Sequence, residues 1–362
     1  MTDPTTEPIY VPALPARRNA LAAYGALAPD VRAAVTPLWT VPPRVGPQRT
    51  PGHGRPHPPD PDALALGSHV HRVLAGIARA QRDRPAWVDT RHVESGPRAF
   101  ATGPPPLRPV TGTERAAWQQ VACAEAAAAG GGGLGVRVRP SRAVSDERWA
   151  ENVVRLLHRI AFARCPVDLL LDLGPVDDTD HGAHRRALHA LDLLGPLHPW
   201  RSVVLLAGSF PRTRPEGYGA ALTETGRADR DLRDLLRHTN GGLGPQPVYG
   251  DYGAHDPASA DRVSDTGDDP FRGAVRYTTT RTFLVGEVRA DGPDHHLTVR
   301  AHARDIVDTA DFRGAAYSRG DRWLQACADG SGPPGTAHPD AWICAGHLQH
   351  LTHVARELRR SG

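Results

Sequence analysis

Two aspartates stand where a buried charge would need a reason. Asp172 interrupts the apolar run Val167-Asp168-Leu169-Leu170-Leu171-Asp172-Leu173, and Asp251 lies in Gly250-Asp251-Tyr252 at the end of a short apolar stretch. A carboxylate among apolar residues is costly unless it meets a cation or several donors. Two carboxylates across one opening can separate in pKa and divide acid and base duties, or bind a divalent cation. On that reading Asp172 and Asp251 are the catalytic candidates, with His350 assisting from the C-terminal segment. The bland alternatives are an Asp172 bonded to Arg139 or to loop amides, and an Asp251 that caps a turn. Arg139 and Arg276 are the residues to hold a phosphate or carboxylate. Tyr252 and Tyr277 offer stacking faces, or else ordinary packing. Asp321 and Trp342 complete the candidate ligand-contacting set, although Asp321, between Gly320 and a helical stretch, also suits a helix N-terminus.

The histidines favour a simpler interpretation. His347, His350 and His353 recur every three residues, whereas helical metal pairs more often use i, i+4 as in HExxH, which is absent. A polar helix face explains them. His53 and His57 fall in a Pro-rich loop, and His295-His296 follow Gly292-Pro293-Asp294 as if in a turn. No GxSxG, Cys-His constellation or GxGxxG occurs in the right strand-turn-helix context.

The elements that must position these residues form an alternation. Strands are expected at Ile9–Leu14, Val35–Val41, Ala86–Asp89, Leu107–Thr111, Gly135–Arg139, Val167–Leu173, Arg201–Ala207 and Pro247–Tyr252, mostly separated by helix-length connections. Thr111 or Thr113 is available to cap the helix that follows the fourth strand. The run Gly130–Gly133 follows a helix and precedes a strand, the reverse of a phosphate loop, and reads as a helix stop. Eight βα units in about 250 residues match a (β/α)₈ TIM-like barrel, with an open doubly wound α/β sheet as the alternative. In a barrel, Asp89, Arg91, Arg139, Asp172, Ser209, Asp251 and Tyr252 would converge at the C-terminal mouth. Residues 1–256 are assigned to the barrel. Residues 257–362 form an α+β elaboration packed on it, with an antiparallel pair at Val275–Thr278 and Thr282–Val288, and with Arg276 and Arg281 on these first tail strands.

Composition removes several function classes. All 43 basic residues are arginine, so a P-loop lysine and the Schiff-base chemistry of pyridoxal phosphate are both excluded. A net charge of +3 argues against a dedicated duplex-DNA binder. Cys123, Cys165, Cys327 and Cys344 form no CxxC pair, and buried reduced thiols are expected at Cys123 and Cys165. No leader-like segment and no stretch of 18 apolar residues is present, so a soluble cytoplasmic protein is expected.

The opening YVPALPARRNALAAYGALAPDVRAAVTPLWTVPP, GDY at 250–252, VRYT at 275–278, YSRGD at 317–321 and WICAGHLQH at 342–350 stand in a fixed order. In that order the chain resembles the beta protein family of phages and bacteria over nearly its whole length. The family's Gly-x-Asn-His-His is here Gly346-His347-Leu348-Gln349-His350, which keeps only His350 at the matching place. Arg319 stands where the family more often has an aromatic. The resemblance implies a phage or bacterial conflict setting more than a reaction. The functional expectation is a small anionic or nucleotide-like ligand at the mouth, with hydrolase-like acid/base or metal-assisted chemistry, a divalent cation being the cofactor compatible with the carboxylates. The alternative is a non-catalytic scaffold that binds a protein partner through the Pro-rich loop 42–61 and the tail. The first reading requires Asp172, Asp251, Arg276 and His350 to share one pocket.

Overall fold

The computed structural model describes residues 8–43, 61–93, 106–140, 148–212, 221–239, 246–258, 272–289, 294–331 and 338–361. Residues 44–60, the body of the Pro-rich loop with His53 and His57, lie outside this description.

The chain opens with β1 (Tyr10–Pro15), α1 (Arg18–Gly25), α2 (Pro29–Ala34), β2 (Leu38–Thr40), α3 (Pro61–Gln81) and β3 (Ala86–Asp89). It continues with β4 (Leu107–Gly112), α4 (Ala117–Gly130), β5 (Leu134–Val138), α5 (Arg148–Ile160), β6 (Val167–Pro175), α6 (Ala183–Leu194) and β7 (Val203–Gly208). Next come β8 (Thr223–Gly226), α7 (Ala228–Thr239), β9 (Val248–Asp251), β10 (Arg272–Thr278) and β11 (Thr282–Arg289). The last elements are α8 (His295–Val307), α9 (Arg319–Asp329) and α10 (Pro339–Ser361).

Strands β1 to β7 and β9 close into a barrel, each pair parallel. Closure is made by β9, which pairs with β7 through Leu205↔Tyr249 and with β1 through Tyr10↔Tyr249. The barrel is therefore the fold and the open sheet is not. Side chains alternate across each strand. Val11, Ala13, Leu38, Trp87, Val110, Leu170, Val204 and Leu206 fill the interior with Tyr252, while Tyr10, Leu14, Trp39 and Tyr249 pack outward under the helices. Room inside is tight at Gly250, where a Cβ would come within 2.8 Å of the Val11 carbonyl. At the opposite end of β6 from Asp172, Asp168 is fully buried. It accepts from Trp87 Nε1 at 2.8 Å, Arg201 Nε at 2.8 Å and Ser202 Oγ at 3.0 Å, which ties the barrel floor together.

Two segments cross the expected division at residue 256. Strand β8 leaves the barrel region and pairs with β11, giving an antiparallel sheet in the order β10-β11-β8. In the other direction, α10 packs against β10, α1, α2 and β1. Its Glu357 also accepts from Arg230 Nε of α7 at 2.7 Å. Helix α10 thus takes the place between α7 and α1 where the barrel's eighth helix belongs. The sheet's other face is covered by α8 and α9 over Val275, Tyr277, Val288, Val299, Ile306 and Leu324.

Several local readings differ from the structure, the glycine stop of α4 excepted. Gly131 (φ +67°) ends α4 as the glycine run suggested. Neither Thr111 nor Thr113 caps that helix: Ala116 is the N-cap, and its N–H is taken by Gln119 Oε1 at 2.7 Å. His295 and His296 begin α8 instead of making a turn. His347, His350 and His353 are no solvent-facing polar stripe, since α10 is buried on both the tail sheet and the barrel wall, and all three lie inside. The four cysteines are free thiols, Cys123 and Cys327 buried and Cys165 and Cys344 half-buried.

Candidate functional site

Strand β5 sends Arg137 inward at the C-terminal end of the barrel, on the same side as Gly135. Arg137 is the hub of the mouth. Its Nε donates to Asp172 Oδ2 at 3.0 Å, its Nη1 to Asp89 Oδ2 at 2.8 Å and its Nη2 to the Tyr252 hydroxyl at 3.1 Å. Each carboxylate then holds a second arginine. Arg115 Nη2, from the turn after β4, donates to Asp89 Oδ1 at 2.5 Å, and Arg139 Nε donates to Asp172 Oδ2 at 2.8 Å. The result is an alternating row, Arg115–Asp89–Arg137–Asp172–Arg139, laid across the ends of β3 to β6.

Asp172 shares the inward side of β6 with Asp168 and Leu170, and the strand becomes irregular just beyond it. The register with β7 shifts between Asp172 and Gly174, and Gly174 N–H donates to Asp172 Oδ1 at 2.8 Å. Tyr252 donates its hydroxyl proton to the same oxygen at 2.5 Å. Burial by itself would raise the Asp172 carboxyl, but Arg137 and Arg139 outweigh it and hold the group well below the usual carboxylate range. Asp89 behaves alike: burial raises it, Arg115 and Arg137 overcome that, and the group stays ionised. Both aspartates therefore serve as fixed counter-ions.

The row forms one wall of a cavity of about 390 Å³, lined also by Arg91, His92, Thr113, Glu114 and Gln119. Arg139 has 47% of its side chain exposed, whereas Arg115 and Arg137 keep 3% each. Burial and then Arg91 lower the pKa of His92 to about 4, so its imidazole is neutral at neutral pH. Arg91 Nε donates to its Nε2 at 3.2 Å. With four guanidinium groups, two buried aspartates and the exposed Glu114, the cavity carries one excess positive charge.

Asp251 belongs to a different cluster. It follows Tyr249 by two residues on β9 and shares its outward side. Tyr10 donates to Asp251 Oδ1 at 2.5 Å, His350 Nε2 lies 2.9 Å from Oδ2, and Gly253 N–H donates to Oδ1 at 2.8 Å. His350 Nδ1 lies 2.9 Å from Thr278 Oγ1 of β10. Next to this group, Tyr249 and Ser209 donate to Asp229. Burial would raise Asp251, and the adjacent His350 reverses this and lowers it. The cluster is sealed between the barrel wall, α7 and α10. It pins the tail to the barrel.

The structure thus brings Asp172, Arg139 and Tyr252 together, and separately Asp251 with His350. The common pocket expected for Asp172, Asp251, Arg276 and His350 does not form, because Asp172 points inward and Asp251 outward from adjoining parts of the wall. Arg276 lies over the Phe210 ring at 5.2 Å and donates to the Ala254 carbonyl at 2.7 Å. Tyr252 is 1% exposed with its hydroxyl engaged, so it presents no stacking face. Tyr277 packs in the tail core and donates to Asp321 Oδ1 at 3.1 Å. Asp321 is the third residue of α9, where Ser318 is the N-cap and accepts the Asp321 N–H at 3.0 Å. Trp342 is buried in the same tail core, against Gly273. Residues not singled out in advance carry the mouth: Arg115, Arg137 and His92. The signal for Arg137 was present in Gly135-Val136-Arg137-Val138-Arg139, since period two places both arginines on the inner face.

The fold and the mouth define a closed (β/α)₈ barrel protein with an arginine–aspartate array at the C-terminal ends of its strands. Residues 10–356 match the family described as Beta protein, and the chain belongs to that family. Neither curated proteins nor solved structures gave a match. Among the described residues no helix is long and apolar enough to cross a membrane, and no group of three His, Cys, Asp or Glu side chains is arranged to hold a metal ion.

Proposed function

We propose that this protein binds a small oxyanion-bearing ligand, a phosphate or a carboxylate, at the C-terminal mouth of its barrel. The observation that carries the reading is the guanidinium row pre-oriented by Asp89 and Asp172 beside a 390 Å³ cavity. Donors fixed before the ligand arrives lose little freedom on binding, and arginine suits the geometry of carboxylate and phosphate. Location supports it too, because barrels of this kind place their sites at this end. Asp172 and Asp89 are each engaged by two arginines, so in this reading they hold guanidinium groups and do not move a proton. Hydrolytic chemistry at this mouth would fall to His92, whose Nε2 would have to exchange the Arg91 Nε–H for a water to act as a base. The ligand's anionic group anchors it, without a base-stacking platform from Tyr252.

Titration calorimetry with inorganic phosphate, pyrophosphate and malonate tests the proposal. Saturable binding is expected, together with thermal stabilisation of about 2.7 kcal/mol at a hundredfold excess over Kd. Arg139→Ala removes the most exposed guanidinium and should weaken binding at least tenfold. If no anion binds at millimolar concentration, or if Arg139→Ala binds as wild type does, the mouth is not the site.

A further inference from the structure

The mouth cavity differs from an ordinary small-molecule pocket in what lines it. Such pockets are walled mainly by apolar and aromatic side chains, with a few polar groups among them. Here, among the described residues, all eight that line the cavity are charged or polar. At about 30 Å³ for each water, the cavity has room for roughly thirteen waters, well beyond a bare phosphate or carboxylate. The part of a ligand beyond its anionic head is therefore surrounded by hydrogen-bonding groups, which suits a polar body and not an acyl chain.

The lining also divides along the rim. The end of β5 contributes Arg137 and Arg139, of which Arg139 is the more exposed. The turn after β4 contributes Thr113 and Glu114, and the first turn of α4 contributes Gln119. Thr113 and Gln119 are half-buried and Glu114 has 58% of its side chain exposed, so all three can be reached from solvent.

Glu114 is out of place in a site that serves only an anion, because its charge repels the ligand. It is not needed to orient a guanidinium either. Its Oε1 lies 3.3 Å from Arg115 Nε, but Arg115 is already held by Asp89 and by the Val110 carbonyl at 2.9 Å. Toward a neutral hydroxyl the same carboxylate is a strong acceptor. An ammonium would meet Glu114 but also the surrounding guanidinium groups, in a cavity whose excess charge is positive. Hydroxyls escape that conflict, since they can donate to Glu114 and accept from the arginines.

We propose that the mouth binds a polyhydroxylated anion, a sugar phosphate or a sugar acid, with its anionic head at Arg139 and its hydroxyls at Thr113, Glu114 and Gln119. This rests on the anion reading of the mouth and adds the chemistry of the ligand's body.

Paired ligands test it by titration calorimetry on the full chain: glycerol 3-phosphate against propyl phosphate, and glycerate against propionate, the members of each pair differing only in hydroxyls. In the pair whose head the mouth takes, the hydroxylated member should bind about tenfold more tightly or better, as a hydrogen bond to a charged group implies. Glu114→Ala, at an exposed position, should erase most of that advantage in a particular way: the bare member tightens as repulsion is relieved, and the hydroxylated member weakens. If the bare members bind and hydroxyls add nothing, or if Glu114→Ala tightens both members, the hydroxyl subsite is overturned while the anion reading stands. Tighter binding of phosphoethanolamine than of glycerol 3-phosphate overturns it too, in favour of an ammonium at Glu114. If no member of either pair binds, both readings fall.

Discussion

Replacing Arg137 with methionine keeps the length of the side chain and removes the charge at the centre of the mouth. In the wild-type protein this guanidinium serves Asp89, Asp172 and the Tyr252 hydroxyl, and 3% of its side chain is exposed. Removing one partner of a buried ion pair costs about 3–5 kcal/mol, because the remaining charge stays buried. Here Arg115 still faces Asp89 and Arg139 still faces Asp172, so the loss should sit near the lower figure, about 3 kcal/mol. At about 2 °C per kcal/mol for a large domain, Tm should fall by roughly 6 °C.

The loss should also carry a pH signature. Asp89 and Asp172 have folded-state pKa values below their unfolded values. Such groups contribute stability that is present above the unfolded carboxylate pKa and disappears as pH falls toward the folded one. Arg137→Met lets both values rise, which shrinks that contribution. The unfolded carboxylates are common to both proteins, so the stability gap between wild type and variant should be widest at neutral pH and narrow as pH falls through the raised folded-state values of the variant. Urea unfolding at pH 7, 5 and 3.5, followed by circular dichroism, measures the gap directly. A loss under 1 kcal/mol at pH 7, or a gap that does not narrow in acid, would refute the counter-ion account of the two aspartates.

Two further substitutions probe how the tail is held. His350→Ala removes the imidazole between Asp251 and Thr278 and leaves a void at a fully buried position, so a loss of about 2–4 kcal/mol is expected by urea unfolding, with faster amide exchange in α10 than in β5; exchange that rises uniformly along the chain would contradict the role of His350 as a local pin. Gly320→Ala puts a Cβ against the Ala345 carbonyl and within 2.8 Å of Gln349 N, both backbone atoms of α10, and should cost about 1–3 kcal/mol with α9 displaced from α10; an unchanged Tm would show that the two helices can move apart freely.

The short apolar runs and the helix-length spacings between them were enough to place all eight barrel strands, because strand and helix periodicities are local properties of a sequence. The same holds for the antiparallel pair β10–β11 and for the glycine stop of α4. Strand β8 escaped notice because Thr223-Glu224-Thr225-Gly226 is polar and half exposed; it is a strand only because β11 offers it an edge. The histidines of helix α10 read as a polar helix face, and nothing in their spacing says that the helix completes the barrel's outer ring and buries all three. The candidate site divided in the same way. Asp172 and Arg139 could be paired on charge and strand position, and Arg137 shares their face by simple alternation. Whether Asp172 and Asp251 met could not be read from the chain. That depended on the end of strand β9, which turns Tyr252 into the barrel and Asp251 out toward His350. Local patterns in the chain set the elements and the types of charge available. Closure of the barrel through β9, and the choice of which charges neutralise one another, came from the fold, because burial and partners are supplied by elements far apart in the chain.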